Sequence, residues 1–320
     1  MGEMQHIVVC VDDTDDLSKE TSTGAVAEAL AAGVCQMGGA IDLGVTRHQL
    51  LLDERVPYTS HNSAMAFSAL LPADALDAFT EDAAWVVRSM MAASANPGFA
   101  CGIVPEGADA GLDELVAFGQ AAQREYLQLG DAFALARRIG WLQLRALGGT
   151  GLGAIGALAG AGLRLSGNDG RFRGTCSALA RQLQCGEGRS VPLAQVQEAL
   201  EGMVHGTVAV RGAQGQVYAP DTPVMFSKDA KAVLRGGAFV LLVAERDGVL
   251  WPCTKRELDE LAALDGGTAG CDGFFPDNDA EEFGDDAARP SCPNCLYRRL
   301  TASGYACVGG ALAARQEACA

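Results

Sequence analysis

The stretch VVCVDDTDDLSKETSTG, residues 8–24, constrains this chain more than any other, because an apolar run ends on four aspartates within five residues. HIVVCV (6–11) is short, apolar and β-branched, which predicts a buried strand. Leading such a strand into Asp12, Asp13, Asp15 and Asp16 sets like charges side by side, and each carboxylate then opposes ionisation of the next. A metal ion is one compensation. Mg2+ takes oxygen ligands, usually one or two carboxylates plus the phosphates of its substrate. Asp12, Asp13 and Asp15 are therefore candidate metal ligands and catalytic residues, with Thr14 among them as a candidate cofactor contact. Capping of a helix, or simple solvation, is the plainer account of the same residues.

The hydroxyls that follow carry two readings. TGAVAEALAAGVCQMG (23–38) is alanine-rich and helical, with Thr21, Ser22 or Thr23 able to cap its start. Main-chain N–H groups and hydroxyls at a helix start can also hold a phosphate, and Ser22 or Thr23 could accept a phosphoryl group.

Further along, AIDLGVTRHQLL (40–51) and AMAFSALL (64–71) read as strands, and residues 74–94 as a helix that stops before NPG (96–98). Residues 112–130 and 131–147 carry two helical patterns. The glycine cluster GGTGLG (148–153) precedes a helical run. It matches neither the P-loop nor the dinucleotide pattern, so Gly149, Thr150, Gly151 and Gly153 are candidate phosphate contacts on a weak signal. Close helix packing through Gly153, Gly156 and Gly160 explains the glycines equally well. Strand candidates follow at 206–212, 222–228, 238–245 and 248–253.

Composition narrows the function classes. The 320 residues include 49% hydrophobic and 20% charged residues, enough for a sizeable core and two or three domains. A net charge of −16 argues against a broad electrostatic grip on nucleic acid and suits a cationic substrate such as an amine. The beginning, MGEMQHIVVC, has no basic region leading a long apolar stretch, and no run is long enough to span a bilayer; a cytoplasmic protein is expected. Eleven cysteines, an odd and scattered set, fit a reduced compartment. Only CPNC (292–295) has ligand spacing, so Cys292 and Cys295, completed by Cys307 with Cys271, Cys253 or Cys319, form a candidate zinc site, Cys271 being the one taken forward. An exposed thiol pair is the alternative.

VCVDDTDDLSKETSTGAVAEAL resembles the N-terminal kinase-like motif of the archaeal agmatinylcytidine synthetases (TiaS), which attach agmatine to the wobble cytidine of an isoleucine tRNA. That family carries a strand, Asp-Asp-Thr-Asp, and Cys-Thr-Thr opening a helix. RVPYTSHNSAMAF (55–67) is similar to the family's Ile-Pro-Tyr-Lys-Thr-Arg-Gly-Asn-Gly-Ala segment, NPG recurs, and GTGLGAIGALAGAGLRL resembles its Arg-Gly-Leu-Ile-Gly-Ala-Leu-Ala-Ala segment. The resemblance covers about residues 6–262. It implies ATP and Mg2+ at Asp12, Asp13 and Asp15, nucleotide contacts from His61 and Asn62, and an ATP-driven activation in which an enzyme Thr and the cytidine carbonyl are phosphorylated before an amine displaces phosphate. The phosphorylated Thr falls on Ser22, which keeps the hydroxyl. Here TST replaces Cys-Thr-Thr, and HNS (61–63) replaces Arg-Gly-Asn-Gly.

The resulting expectation is an α+β chain. Its parts are a kinase-like α/β domain (1–108), a ferredoxin-like domain with leading helices (109–265) and an acidic, cysteine-bearing tail (266–320), without the OB-fold and zinc-ribbon domains that grip tRNA. The expected chemistry is ATP- and Mg2+-dependent phosphoryl activation with amine ligation. The acceptor is tRNA by resemblance, or a small metabolite; a nucleotide-binding module without turnover is the other alternative.

Overall fold

The computed structural model describes residues 3–16, 21–51, 53, 55–56, 62–107, 109–185, 188–212, 215–227, 230–254, 257–258, 298–301 and 304–307. The chain divides into two compact units, Met1–Gly170 and Arg171–Ala320. It is an α+β protein with sheets and helices in both.

The first unit contains strands β1 (Met4–Asp12), β2 (Ala40–Gln49), β3 (Ser63–Pro72), β4 (Gly98–Ile103) and β5 (Leu142–Ala146). Its helices are α1 (Thr23–Gln36), α2 (Leu76–Met90), α3 (Ala110–Ala122), α4 (Leu129–Ile139) and α5 (Gly153–Leu165). The strands form an antiparallel sheet in the order β5-β4-β1-β3-β2. Helices cover both faces. Ile7, Val9 and Val11 pack with Val26, Leu30 and Val34 of α1 and Phe79, Ala83 and Val87 of α2. Val8 and Cys10 point the other way, onto Leu115 of α3, Leu135 of α4 and Ala157, Leu158 and Ala161 of α5. A central strand covered on both sides needs no polar alternation, which is why HIVVCV reads as an unbroken apolar run.

Two segments depart from the sequence expectation. GFACGI, rich in Gly and Ala, is strand β4 beside β1. Its glycines weaken strand propensity, but a Cβ at Gly98 would overlap the main chain of Gly153, and one at Gly102 would press on Trp141 and Leu142. The helical pattern over 131–147 breaks at Gly140, whose φ of 72° gives α4 a left-handed cap, and LQLRA leaves as the edge strand β5. Helices α3, α4 and α5 and strand β5 lie in the first unit, and the helices pack on the second face of its sheet. Gly156 and Gly160 let α5 lie directly on the ends of β1 and β3.

The second unit holds β6 (Arg171–Phe172), α6 (Thr175–Gln182), β7 (Val191–Pro192), α7 (Leu193–Met203), β8 (Val208–Gly212), β9 (Pro223–Val224), β10 (Val233–Arg235), β11 (Ala238–Arg246) and β12 (Val249–Pro252). Strand β11 pairs antiparallel with β10 and β12 and parallel with β8. The hairpin β13 (Arg298–Thr301) and β14 (Gly304–Cys307) forms a separate two-stranded sheet. No described helix is long and apolar enough to cross a membrane.

Candidate functional site

Register places the candidate residues at one edge of the first sheet. Asp12, the last residue of β1, lies opposite Gly98 at the start of β4, and Gly98 in turn opposite Ala146 at the end of β5. On the other side Val11 pairs with Met65 near the start of β3, and Ser63 with Gln49 at the end of β2. The antiparallel order therefore gathers the loops after β1, β2 and β5 and before β4 along one rim.

The alternation of β1 puts Asp12 on the α5 face, in line with Val8 and Cys10. Its side chain is 7% exposed and stands where a Cβ of residue 156 would otherwise lie. Burial raises the Asp12 carboxyl well above the usual carboxylate range, and the charges of Asp13 and Asp15 push it further; the Asp13 N–H acts against them. The chain then turns through a left-handed φ of 52° at Asp13, a conformation that costs a non-glycine residue about 1 kcal/mol. Burial also raises the Asp13 carboxyl, opposed by hydrogen bonds from Asn96.

Asp15 turns toward the start of α1, where its Oδ2 accepts the Thr23 N–H at 3.3 Å. Ser22 is the N-cap: its Oγ accepts the Ala25 N–H at 3.2 Å from extended backbone, as the sequence expected, and its side chain is half-buried. Thr23 is buried and its hydroxyl accepts a hydrogen bond from Thr14 Oγ1 at 3.1 Å. Thr14 is fully buried, and its carbonyl accepts the Ala92 N–H. It ties the loop to α1 and to the segment after α2. Ser94 completes this anchoring, donating to Asp16 Oδ2 at 2.7 Å.

The glycine turn meets the same loop through Asn96. The Asn96 Oδ1 accepts both the N–H and the hydroxyl of Thr150, at 2.8 and 2.9 Å, and its main-chain carbonyl accepts the Gly153 N–H at 3.0 Å. The Gly151 N–H goes to the Gly148 carbonyl. Among the candidate phosphate contacts, Thr150 and Gly153 thus spend their N–H groups on Asn96, and Gly151 spends its own within the turn. Gly149, at a φ of 52°, lies so near Asn96 Oδ1 that a Cβ would overlap it.

Asn62 donates Nδ2–H to the Leu51 carbonyl at 2.6 Å, closing the base of the loop after β2. His61, Cys271, Cys292 and Cys295 lie outside the described residues, as does the side chain of Cys307, whose backbone ends β14. Among the described residues no group of three or more His, Cys, Asp or Glu side chains is arranged as a metal site. Asp12, Asp13 and Asp15 share one short loop, but Asp13 and Asp15 are each held by a separate partner. Divalent binding requires these carboxylates to converge further. Carboxylate oxygens are the donors a hard cation takes.

Sequence reasoning missed Asn96 as a site residue. Its signal was the NPG (96–98) between α2 and β4, read as a helix terminator and as a segment of the family resemblance.

No family model matches the chain, and no curated protein matches it. Among solved structures the chain is similar to a tRNA fluorescent labeling enzyme (23% identity, TM-score 0.42). It is also similar to TiaS in complex with a tRNA and ATP (23%, TM-score 0.39) and to TiaS in complex with a tRNA, AMPCPP and agmatine (22%, TM-score 0.40). Each match covers 49% of this chain and 36% of the other. The chain therefore matches about a third of the length of those solved chains.

Proposed function

We propose that this chain is an ATP- and Mg2+-dependent enzyme that activates an acceptor by phosphoryl transfer, followed by displacement with a cationic amine. The observation that carries the reading is Asp12: a carboxyl nearly sealed from water, beside two others at the same strand end, is disfavoured as an anion unless a cation joins it, and is otherwise held protonated. The sequence resemblance of residues 9–30 to the TiaS kinase-like motif supplies the nucleotide.

In this reading Asp12, Asp13 and Asp15 hold the ion. A Mg2+ ion held there would neutralise charge developing on the transferred phosphoryl group. Ser22 is the phosphoacceptor. Its Oγ forms the new bond to the terminal phosphorus as the bridging oxygen leaves with ADP, and the hydroxyl proton passes to a carboxylate of the loop. Thr23 is the less suited hydroxyl, since it is buried and already accepts from Thr14. The acceptor is a tRNA or a small metabolite, and a zinc ion on Cys271, Cys292, Cys295 and Cys307 completes the proposal.

Incubation with ATP and Mg2+ followed by mass spectrometry tests it. Phosphate on Ser22, with release of ADP, is expected, and Asp13→Asn should abolish both. ATP binding and turnover unaltered by that substitution would remove the metal assignment. Tight ATP binding without any product would favour a module without turnover. Metal analysis of the reduced protein decides the zinc.

A further inference from the structure

Strand β5 ends the sheet of the first unit, and among the described residues no strand pairs with its outer side. Its register with β4 fixes which groups face outward. The Ile103 N–H donates to the Trp141 carbonyl, and the Leu147 N–H donates to the Pro97 carbonyl. Trp141, Gln143, Arg145 and Leu147 therefore turn their main-chain groups toward β4, while Leu142, Leu144 and Ala146 turn theirs away. Strand edges are commonly blunted by proline, lysine or a bulge. LQLRA has none of these, and its pairing with β4 runs without a break. Gln143 and Ala146 are exposed, and Leu144 is half-buried. Arg145 donates to Gln143 Oε1 at 3.1 Å and to Glu81 Oε1 of α2 at 2.8 Å, tying that helix to the same edge. One turn along α2 from Glu81, Trp85 is 69% exposed, and exposed tryptophan is enriched where proteins meet.

We propose that β5 is a dimerisation strand, on which a second copy of this chain adds its own β5 antiparallel about a two-fold axis at Leu144. The strand is self-complementary in that register. Leu144 meets Leu144 and Leu142 meets Ala146, so the outward N–H and C=O groups of each pair bond one another. Gln143 falls opposite Arg145 of the second copy, at the closer spacing of a non-hydrogen-bonded pair. Each Gln143 carbonyl oxygen then lies between two guanidinium groups, its own and the other copy's, and the arginines stay apart. A slip by one residue would set outward groups against inward ones. A slip by two would set Arg145 against Arg145, or Ala146 against Gly140, which lies outside the strand. Charge and main-chain direction thus select one register and one occupant.

Sedimentation velocity of the full chain over a range of concentrations tests this, with circular dichroism on each variant. A reversible monomer–dimer equilibrium is expected. Gln143→Arg, at an exposed position, sets arginine against arginine and should weaken the dimer about tenfold. Gln143→Glu sets an acid against Arg145 and should tighten it, a gain that added salt reduces. Ala146→Pro removes an outward N–H while sparing the bonds to β4, and should weaken the dimer about tenfold. If Ala146→Pro fails to fold, the opposite signs of the two Gln143 variants decide. A monomer at every concentration would overturn the proposal. A dimer indifferent to all three substitutions would overturn it too, by placing the interface elsewhere.

Discussion

The carboxylate of Asp12 occupies the space that any side chain at residue 156 would fill. A glycine in the middle of a helix is normally a liability of about 1 kcal/mol against alanine. Here it lets α5 lie on the end of β1 with an acid between them. The buried, raised carboxyl and the glycine beneath it are two halves of one feature.

Gly156→Ala should therefore destabilise the protein in spite of its better helix propensity. The propensity gain of about 1 kcal/mol is outweighed by an overlap that typically costs about 1–3 kcal/mol, and metal binding should fall with it. Gly130→Ala is the control, because nothing lies within 4 Å of its added methyl; it should stabilise by about 0.5 kcal/mol. Chemical denaturation of the two variants reads the opposite signs.

Asp12→Asn should raise stability at neutral pH without divalent metal, by about 0.5–2 kcal/mol, while removing metal binding. The sign follows from the direction of the shift. Folding raises the Asp12 carboxyl, so stability is full below the ordinary aspartate range and falls as pH climbs through the raised folded value. Asp13 acts in the same direction. Melting temperatures of the metal-free protein should therefore decline with rising pH in the parent and decline less in Asp12→Asn. Added Mg2+ should recover the loss only in the parent, and only where the carboxylates are ionised.

Ser22 has two roles that substitution can separate. As the N-cap of α1 it is worth about 1 kcal/mol, which Ser22→Ala should lose. Ser22→Asn caps equally well but has no hydroxyl. It should melt like the parent and yet take no phosphate from ATP by mass spectrometry. Phosphate elsewhere on the Asn variant would move the acceptor to another residue.

A second polar cluster in the same unit should behave as structure only. His48, fully buried, meets Asp169 Oδ1 through Nδ1 at 2.7 Å and Thr46 Oγ1 through Nε2 at 2.7 Å. Gln123 donates to Asp169 Oδ2 at 2.9 Å, and Arg164, held down to about 10 by burial, donates to Thr46 at 3.1 Å and to the Asp42 carbonyl at 2.7 Å. Asp169→Ala breaks a buried pair and should cost about 3–5 kcal/mol in denaturant melts. Mn2+ affinity of the folded fraction should not change.

Local patterns in the sequence were sufficient for β1, α1 with its Ser22 cap, β2, β3 and α2, because each is long, apolar on its buried side and bounded by a cap or a turn residue. The acid run itself was legible for the same reason: an apolar strand that ends in carboxylates is unusual chemistry in any fold. Strand β4 was not legible. Its two glycines and one alanine carry little strand propensity, and its place comes from pairing with β1 and β5, with Gly98 required by the main chain of Gly153. Strand β5 was hidden inside a helical pattern until Gly140 turned left-handed.

The sequence alone determined which residues carry the candidate chemistry, since four aspartates and a hydroxyl row are covalent facts. Tertiary structure decided what surrounds them. Only the antiparallel order of the sheet brings Asn96 and Thr150, far apart in the chain, to Asp13, and only the seating of α5 buries Asp12. Burial and hydrogen-bond direction depend on neighbours that no local window contains, and those neighbours set the ionisation of the two carboxylates.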